Sequence, residues 1–329
     1  MRIRIQGVNP EVNSGPGKFA KRLATEFSRK NHTIIWNDKE DYDIDLIFIS
    51  NRFPINPDKP SVQRLDGIYL NSQVNFEGLT HKNGNNHIIE TYNQVDGHIF
   101  QSQFTYDLVL KHFGMPQGET RYWIVNNGTE INKLPKKRLD YLKDYKKVIF
   151  SASSWRPNKR PEDNLAVFEE LKKIVDYPIA LVMVGDFIWC SAYSEDEDVY
   201  IIRQKIDDAQ MKAFFRSSDY FFHMTYLDNC PNSVVEALAH SVPVLCSESG
   251  GTKELLHGCG YVAMEDWDTE IQNTYEPSKM PDLKGVAEYI AKDLEKTHDF
   301  TEAHKNIDIS CVADQYLALL EDVYENYGS

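Results

Sequence analysis

The stretch Asp228-Asn-Cys-Pro-Asn-Ser-Val-Val-Glu-Ala-Leu-Ala-His-Ser-Val-Pro-Val-Leu245 decides how this chain is read. Just upstream, Tyr220–Met224 is a short apolar run with polar flanks, the pattern of a buried parallel strand. Asp228 then falls at the carboxyl end of that strand, the edge where open α/β sheets bind ligands. Ser233–His240 has helical periodicity. Asn232 and Ser233 therefore open a helix, whose free N–H groups and dipole can hold an anion such as a diphosphate. Asn229 shares that loop and joins the candidate donor contacts. Glu236, in the first turn, could accept two hydrogen bonds from a ribose, as the acidic residue of dinucleotide-binding folds does. A second reading stays open at this point: Ser233-x-x-Glu236 also has the spacing of a capping box.

Outward from this stretch, short apolar runs alternate with helical patterns, which predicts parallel α/β sheets. In the first half the expected strands are Ile3–Val8, Asp45–Ser50, Ser61–Leu65, Gly97–Gln101 and Tyr122–Asn126, with helices at Lys18–Lys30 and Phe104–Phe113. In the second half the expected strands are Lys147–Ser151, Ile179–Val184, Val199–Ile202, Tyr220–Met224 and Val242–Cys246. Helices are expected at Asn164–Val175, Asp208–Ser217, Ser233–His240, Thr252–Leu256, Leu283–Lys296 and Cys311–Tyr327. The turn-rich Asn126-Asn127-Gly128 and the charged segment after it divide the chain into residues 1–135 and 136–310. Two such halves imply a cleft between them.

Composition narrows the class. At 329 residues the chain is long enough for two domains that each bury a core. A net charge of −14 argues against general affinity for nucleic acid or anionic membranes. Cys190, Cys230, Cys246, Cys259 and Cys311 are scattered without a C-x-x-C pair, so neither a disulfide framework nor a zinc site is expected. The opening MRIRIQGVN has no signal-peptide core, and no apolar run reaches membrane-spanning length, so the expected compartment is the cytoplasm. Peripheral membrane contact remains open.

The ordered motifs resemble glycosyltransferase family 4, the group 1 type of retaining enzymes with the GT-B fold. The resemblance rests on Asp228 and Glu236, separated by seven residues, then Pro243-Val244, Gly250-Gly251 and Glu254. Asn127-Gly128 resembles the hinge, Trp155-Arg-Pro-Asn-Lys-Arg-Pro161 the basic loop of the second domain, and Ser14-Gly-Pro-Gly-Lys18 the glycine-rich loop after the first strand. Two departures stand out: the first acidic position is Asp where the family usually has Glu, and the first domain is short. The resemblance implies two Rossmann-like domains facing across a cleft, with the last helix, 311–329, packing back onto the first. It implies sugar transfer with retention from a UDP- or GDP-linked donor to a hydroxyl acceptor, with no further cofactor and no metal. In that reading Asp228 contacts the donor sugar, Lys159 and Arg156 hold the diphosphate, Ser233 caps it and Glu236 holds the ribose. Arg160 competes with Arg156. A nucleotide-sugar epimerase on the same fold and a catalytically silent sugar-nucleotide binder are the alternative functions.

Three further groups of residues invite a reading of their own. Gly15 and Gly17 would let the backbone approach a phosphate, or would simply shape an ordinary strand-to-helix turn. Arg64 and Asp66 end an expected strand at the ligand edge, as acceptor contacts or as a buried ion pair. Asp41-Tyr-Asp43-Ile-Asp45 has the Asp-x-Asp spacing of metal-dependent sugar transferases, but it precedes its strand, at the wrong end for an α/β site.

Overall fold

The computed structural model describes residues 1–12, 14–70, 81–116, 120–187, 192–270 and 280–328, without the side chains of 81–83. Cys190 lies outside the described residues. The first domain runs β1 (Arg2–Gln6), α1 (Gly15–Arg29), β2 (Thr33–Ile35), β3 (Ile44–Phe48), β4 (Ser61–Leu65), α2 (His81–Tyr92), β5 (Gly97–Phe100), α3 (Gln103–Phe113) and β6 (Arg121–Ile124). The second runs β7 (Lys147–Ala152), α4 (Pro161–Ile174), β8 (Ile179–Val184), β9 (Val199–Ile202), α5 (Asp208–Ser217), β10 (Tyr220–His223), α6 (Asn232–Ala239), β11 (Val244–Ser247), β12 (Gly260–Ala263), α7 (Leu283–Asp293), α8 (Thr301–Ile307) and α9 (Ile309–Glu325).

The strands form two six-stranded parallel sheets, ordered β2-β1-β3-β4-β5-β6 and β12-β11-β10-β7-β8-β9. In the second sheet the strand order reverses between β7 and β10, which lie side by side. Loops leaving two such strands diverge to opposite faces and open a crevice at the sheet's carboxyl edge. Central strands are buried on both faces, which is why Ile179–Val184 reads as one continuous apolar run.

The last helix returns to the first domain, completing the GT-B architecture. Asp308 caps α9, its Oδ1 accepting from Ser310 N at 2.8 Å. Val312, Tyr316, Leu320 and Val323 recur at helical spacing and share one core cluster with Phe19, Leu23 and Phe27 of α1. Two chain crossings meet at the hinge: Thr129 N donates to Ile307 O at 2.8 Å, and Ile309 N to Thr129 O at 3.1 Å. A Cβ on Gly128 would come within 2.9 Å of Val312 Cγ2, so glycine is what lets the crossings pack this closely.

Glu254, the last element of the signature, joins the domains directly. Its carboxylate accepts from the backbone N–H of Gln103 at 2.7 Å and of Phe104 at 2.8 Å, capping α3 of the first domain from the second. Glu254→Ala is expected to cost about 1–2 kcal/mol, the size of a lost helix cap strengthened by charge. Urea unfolding would show it as a lower midpoint. An unchanged midpoint would mean that the contact adds nothing to stability.

The Asp-x-Asp carboxylates are committed elsewhere. Asp41 pairs with Lys59, Asp43 accepts from Arg2 N at 2.6 Å, and Asp45 is buried within β3 against Arg4, Nε to Oδ1 at 2.6 Å. Among the described residues no helix is long and apolar enough to cross a membrane.

Candidate active site

Between the two sheets' carboxyl edges lies a cleft of about 430 Å³, a size that suits a small-molecule ligand. Asp228, Asn229, Asn232, Ser233, Glu236, Lys159, Arg156, Gly15, Arg64 and Asp66 all line it. Gly17 does not. Its N–H donates to the Ser14 cap at 3.2 Å, and a Cβ there would meet Ser14 Oγ and Val12 O at 2.9 Å. Gly17 thus serves the turn into α1, whereas Gly15 faces Asn232, whose Nδ2 donates to Gly15 O at 2.9 Å.

Asp228 and Lys159 meet at the switch point, one after β10 and the other after β7. The loop after β7 is anchored by buried Trp155, whose N donates to Asp186 O at 2.7 Å and whose Nε1 donates to Val184 O at 3.0 Å. From that anchor a 3₁₀ turn, Pro157–Lys159, swings Lys159 into the cleft. Its Nζ lies 2.7 Å from Asp228 Oδ2, and His223 Nε2 lies 3.2 Å from the same oxygen. Burial alone would raise the Asp228 carboxyl, but the attraction of Lys159 and the hydrogen bond from His223 prevail. Together they hold it well below the usual carboxylate range. Burial in turn lowers the His223 pKa against the opposing pull of Asp228. Behind Asp228, Gly250 sits at φ +94° with no room for a Cβ against the Asp228 carbonyl, and Gly251 N donates to that carbonyl at 2.8 Å. The glycine pair of the signature shapes the backbone under this carboxylate.

Arg156 stands exposed on the cleft rim. Arg160, its competitor, is buried, with Nη2 2.5 Å from Glu265 Oε2 and Asp163 close by, so it is spent within the second domain.

The capping box does not form. Pro231 is the N-cap of α6 and supplies no side-chain cap, so Ser233 and Glu236 fall too far into the helix to satisfy each other. The first amides of α6 thus have no side-chain cap, the arrangement in which a helix N-terminus can take an anion. Glu236 instead reaches across the cleft and pairs with Arg22 of α1, both side chains partly buried.

Arg64 is almost wholly buried. It pairs with Asp66, donates from Nη2 to Gln101 Oε1 at 3.0 Å and to Asn127 Oδ1 at 2.5 Å, and lies over the rings of Phe19 and Phe48. Asn127 in turn donates from Nδ2 to Cys230 O at 2.8 Å. The ion-pair alternative is therefore what the structure contains, with Asp66 the member that faces the cleft more openly.

Sequence reasoning missed His223, Arg22, and a further stretch of cleft wall made by Gly185, Asp186, Gln204, Lys205 and Ile206. Lys205 Nζ lies 3.2 Å from Asp186 Oδ2 in that wall. A histidine closing the apolar run Tyr-Phe-Phe-His was a usable signal, since burial of a polar ring needs a partner. Nothing local marks Arg22, which reads as one more basic residue on a helix.

Comparison with known proteins places these features in a family context. Residues 135–265 match the family model "Glycosyl transferases group 1". TuaC of Bacillus subtilis (strain 168), named as a teichuronic acid biosynthesis glycosyltransferase, is 31% identical over 87 residues. That alignment covers 26% of this chain and 22% of TuaC, so only about a fifth of that protein is matched. Among solved structures, sucrose-phosphate synthase from Thermosynechococcus elongatus superposes with a TM-score of 0.73 at 11% identity, over 98% of this chain and 99% of that one. Anabaena Alr3699/HepE in complex with UDP-glucose superposes with a TM-score of 0.65 at 14% identity, over 98% of this chain and 100% of that one. At such identities the likeness is one of fold.

Proposed function

We propose, from the premise that the second domain is a glycosyl transferases group 1 domain within a GT-B fold, that this chain transfers a sugar from a nucleoside-diphosphate donor to an acceptor hydroxyl with retention. The observation that carries the reading is the meeting of Lys159, Asp228 and an uncapped helix N-terminus at the switch point of the second sheet. Lys159, Arg156 and the first amides of α6 at Asn232 and Ser233 neutralise the diphosphate as it departs. Glu236 holds the ribose hydroxyls. Asp228 and Asn229 meet the donor sugar. The wall of Gly185, Gln204 and Ile206 offers backbone and apolar surface for the base. Asp66, held by Arg64, faces the acceptor side. In the transfer, the bond from the anomeric carbon to the phosphate oxygen breaks while the acceptor oxygen bonds to the same face. The acceptor's proton passes to the departing phosphate. UDP-glucose is the first donor to try, because the Anabaena protein of the same fold is solved with it.

The test is a panel of UDP- and GDP-sugars, with release of free nucleotide followed and the product's anomeric configuration read by NMR. Release with a retained linkage supports the reading. A changed sugar still bound to nucleotide would identify an epimerase, and binding without turnover a silent binder. Because the neutralising charge comes from Lys159, Arg156 and a helix dipole, turnover is expected to be the same with and without EDTA. Loss on chelation and recovery with Mg²⁺ or Mn²⁺ would overturn that part of the mechanism.

A further inference from the structure

His223 has a job that the donor-site reading leaves unassigned. It is the last residue of β10 and is buried, beside the ring of Phe221, at the floor of the cleft. Its Nε2 faces a carboxylate oxygen at 3.2 Å. An ionised carboxylate only accepts hydrogen bonds, so this nitrogen carries the proton and donates. Lys159 Nζ reaches the same oxygen at 2.7 Å from the loop after β7. A carboxylate held only by a lysine on a flexible stem can still rotate about its Cβ–Cγ bond. A ring nitrogen fixed at the end of a strand, as His223 is, holds one chosen oxygen and so decides which oxygen is left to face a ligand.

We infer that His223 is a positioning residue for the sugar half of the donor, pinning Asp228 Oδ2 so that Oδ1 meets a donor hydroxyl. The inference rests on the reading of Asp228 as the donor-sugar contact. It also resolves a conflict of duties. Lys159 is drawn toward the diphosphate when the donor enters, and a lysine on a flexible stem cannot hold Asp228 rigidly at the same time. His223 stays with Asp228 throughout. The shorter Asp side chain, with one torsion fewer than Glu, makes a fixed second donor on the strand end effective.

The experiment uses the full chain and the donor that turns over in the panel. His223→Phe keeps an aromatic ring and removes the donor, while His223→Gln places an amide N–H at a similar reach. The Phe variant is expected to lose about 10-fold or more in kcat, a cost in the range of small misplacements of reacting groups. Affinity for the sugar-free nucleoside diphosphate, UDP or GDP, should stay within about 2-fold, because the loss falls on the sugar alone. The Gln variant should recover most of the rate. Should the Phe variant not fold, His223→Asn, whose shorter amide falls short of Asp228, replaces it. A Gln variant as impaired as Phe or Asn, with nucleotide affinity also lowered, would make His223 a packing residue and overturn the inference. Wild-type kcat in the Phe variant would overturn it too. Asp228→Asn separates the two layers. Loss there beside a normal His223→Phe sinks the positioning role alone, whereas normal turnover in Asp228→Asn sinks the donor-sugar reading beneath it.

Discussion

Lys159→Ala is expected to lower kcat/KM by roughly 10²-fold or more, a few kcal/mol of transition-state stabilisation. Two causes would be at work, and pH separates them. The first is loss of a cation at the departing diphosphate, which no change of pH restores. The second is indirect: Lys159 is the strongest influence holding Asp228 ionised against burial. Without Lys159, burial has less opposition and the Asp228 carboxyl moves up. Asp228 acts in its ionised form, so the acid limb of the pH profile of kcat/KM should shift to higher pH. Raising the pH restores only this second contribution. The expected result is a profile with a displaced acid limb and a plateau still far below wild type. A plateau that returns to wild type at high pH would mean that Lys159 serves Asp228 alone and that the diphosphate is held elsewhere. An unaltered profile would remove Lys159 from the site.

How much of this could be read without the structure depends on where each interaction is encoded. Ile179–Val184, Val199–Ile202 and Asp208–Ser217 were legible to the residue, because a buried parallel strand is a bounded apolar run and a capped helix announces its start. Asp207 and Gln210 form a full capping box at that helix. α2 was not legible. His-Lys-Asn-Gly-Asn-Asn-His opens it with poor helix formers, and its place is secured from outside, Asn85 exchanging two hydrogen bonds of 2.8 Å with the Tyr69 backbone. β2 and β12 are short sheet-edge strands, and α8 is one short piece before the return helix, too brief for a period to declare itself. Around the cleft, the lining residues of one contiguous motif were legible because local spacing encodes them. The partners of those residues were not. His223 reaches Asp228 from the preceding strand, and Arg22 reaches Glu236 from the other domain. Arg64 shows the same limit: the residue was visible, but its burial under Phe19 and Phe48 is a property of the packed core.

Glu236→Gln is expected to weaken binding of the ribonucleotide by about 1.5–3 kcal/mol, the worth of hydrogen bonds to a charged group. The pairing of Glu236 with Arg22 adds a rival explanation, since the substitution also removes a bridge between the domains. A partly exposed ion pair contributes about 0–1 kcal/mol, so its loss alone should leave the melting temperature nearly unchanged. A ratio removes the ambiguity. Any effect of the bridge on domain closure acts equally on a nucleotide with or without its 2′-hydroxyl, so it cancels when the two affinities are divided. Wild type should prefer the ribonucleotide over the 2′-deoxynucleotide. Arg22→Met, which removes the bridge but leaves the carboxylate, should keep that preference. Glu236→Gln should lose most of it, because both changes then delete one and the same interaction and their costs do not add. Calorimetry on the three proteins with the two nucleotides gives all six affinities. A preference that survives in Glu236→Gln would leave this residue as a clasp between the domains, and the ribose would have to be sought along the wall that runs from Gly185 to Ile206.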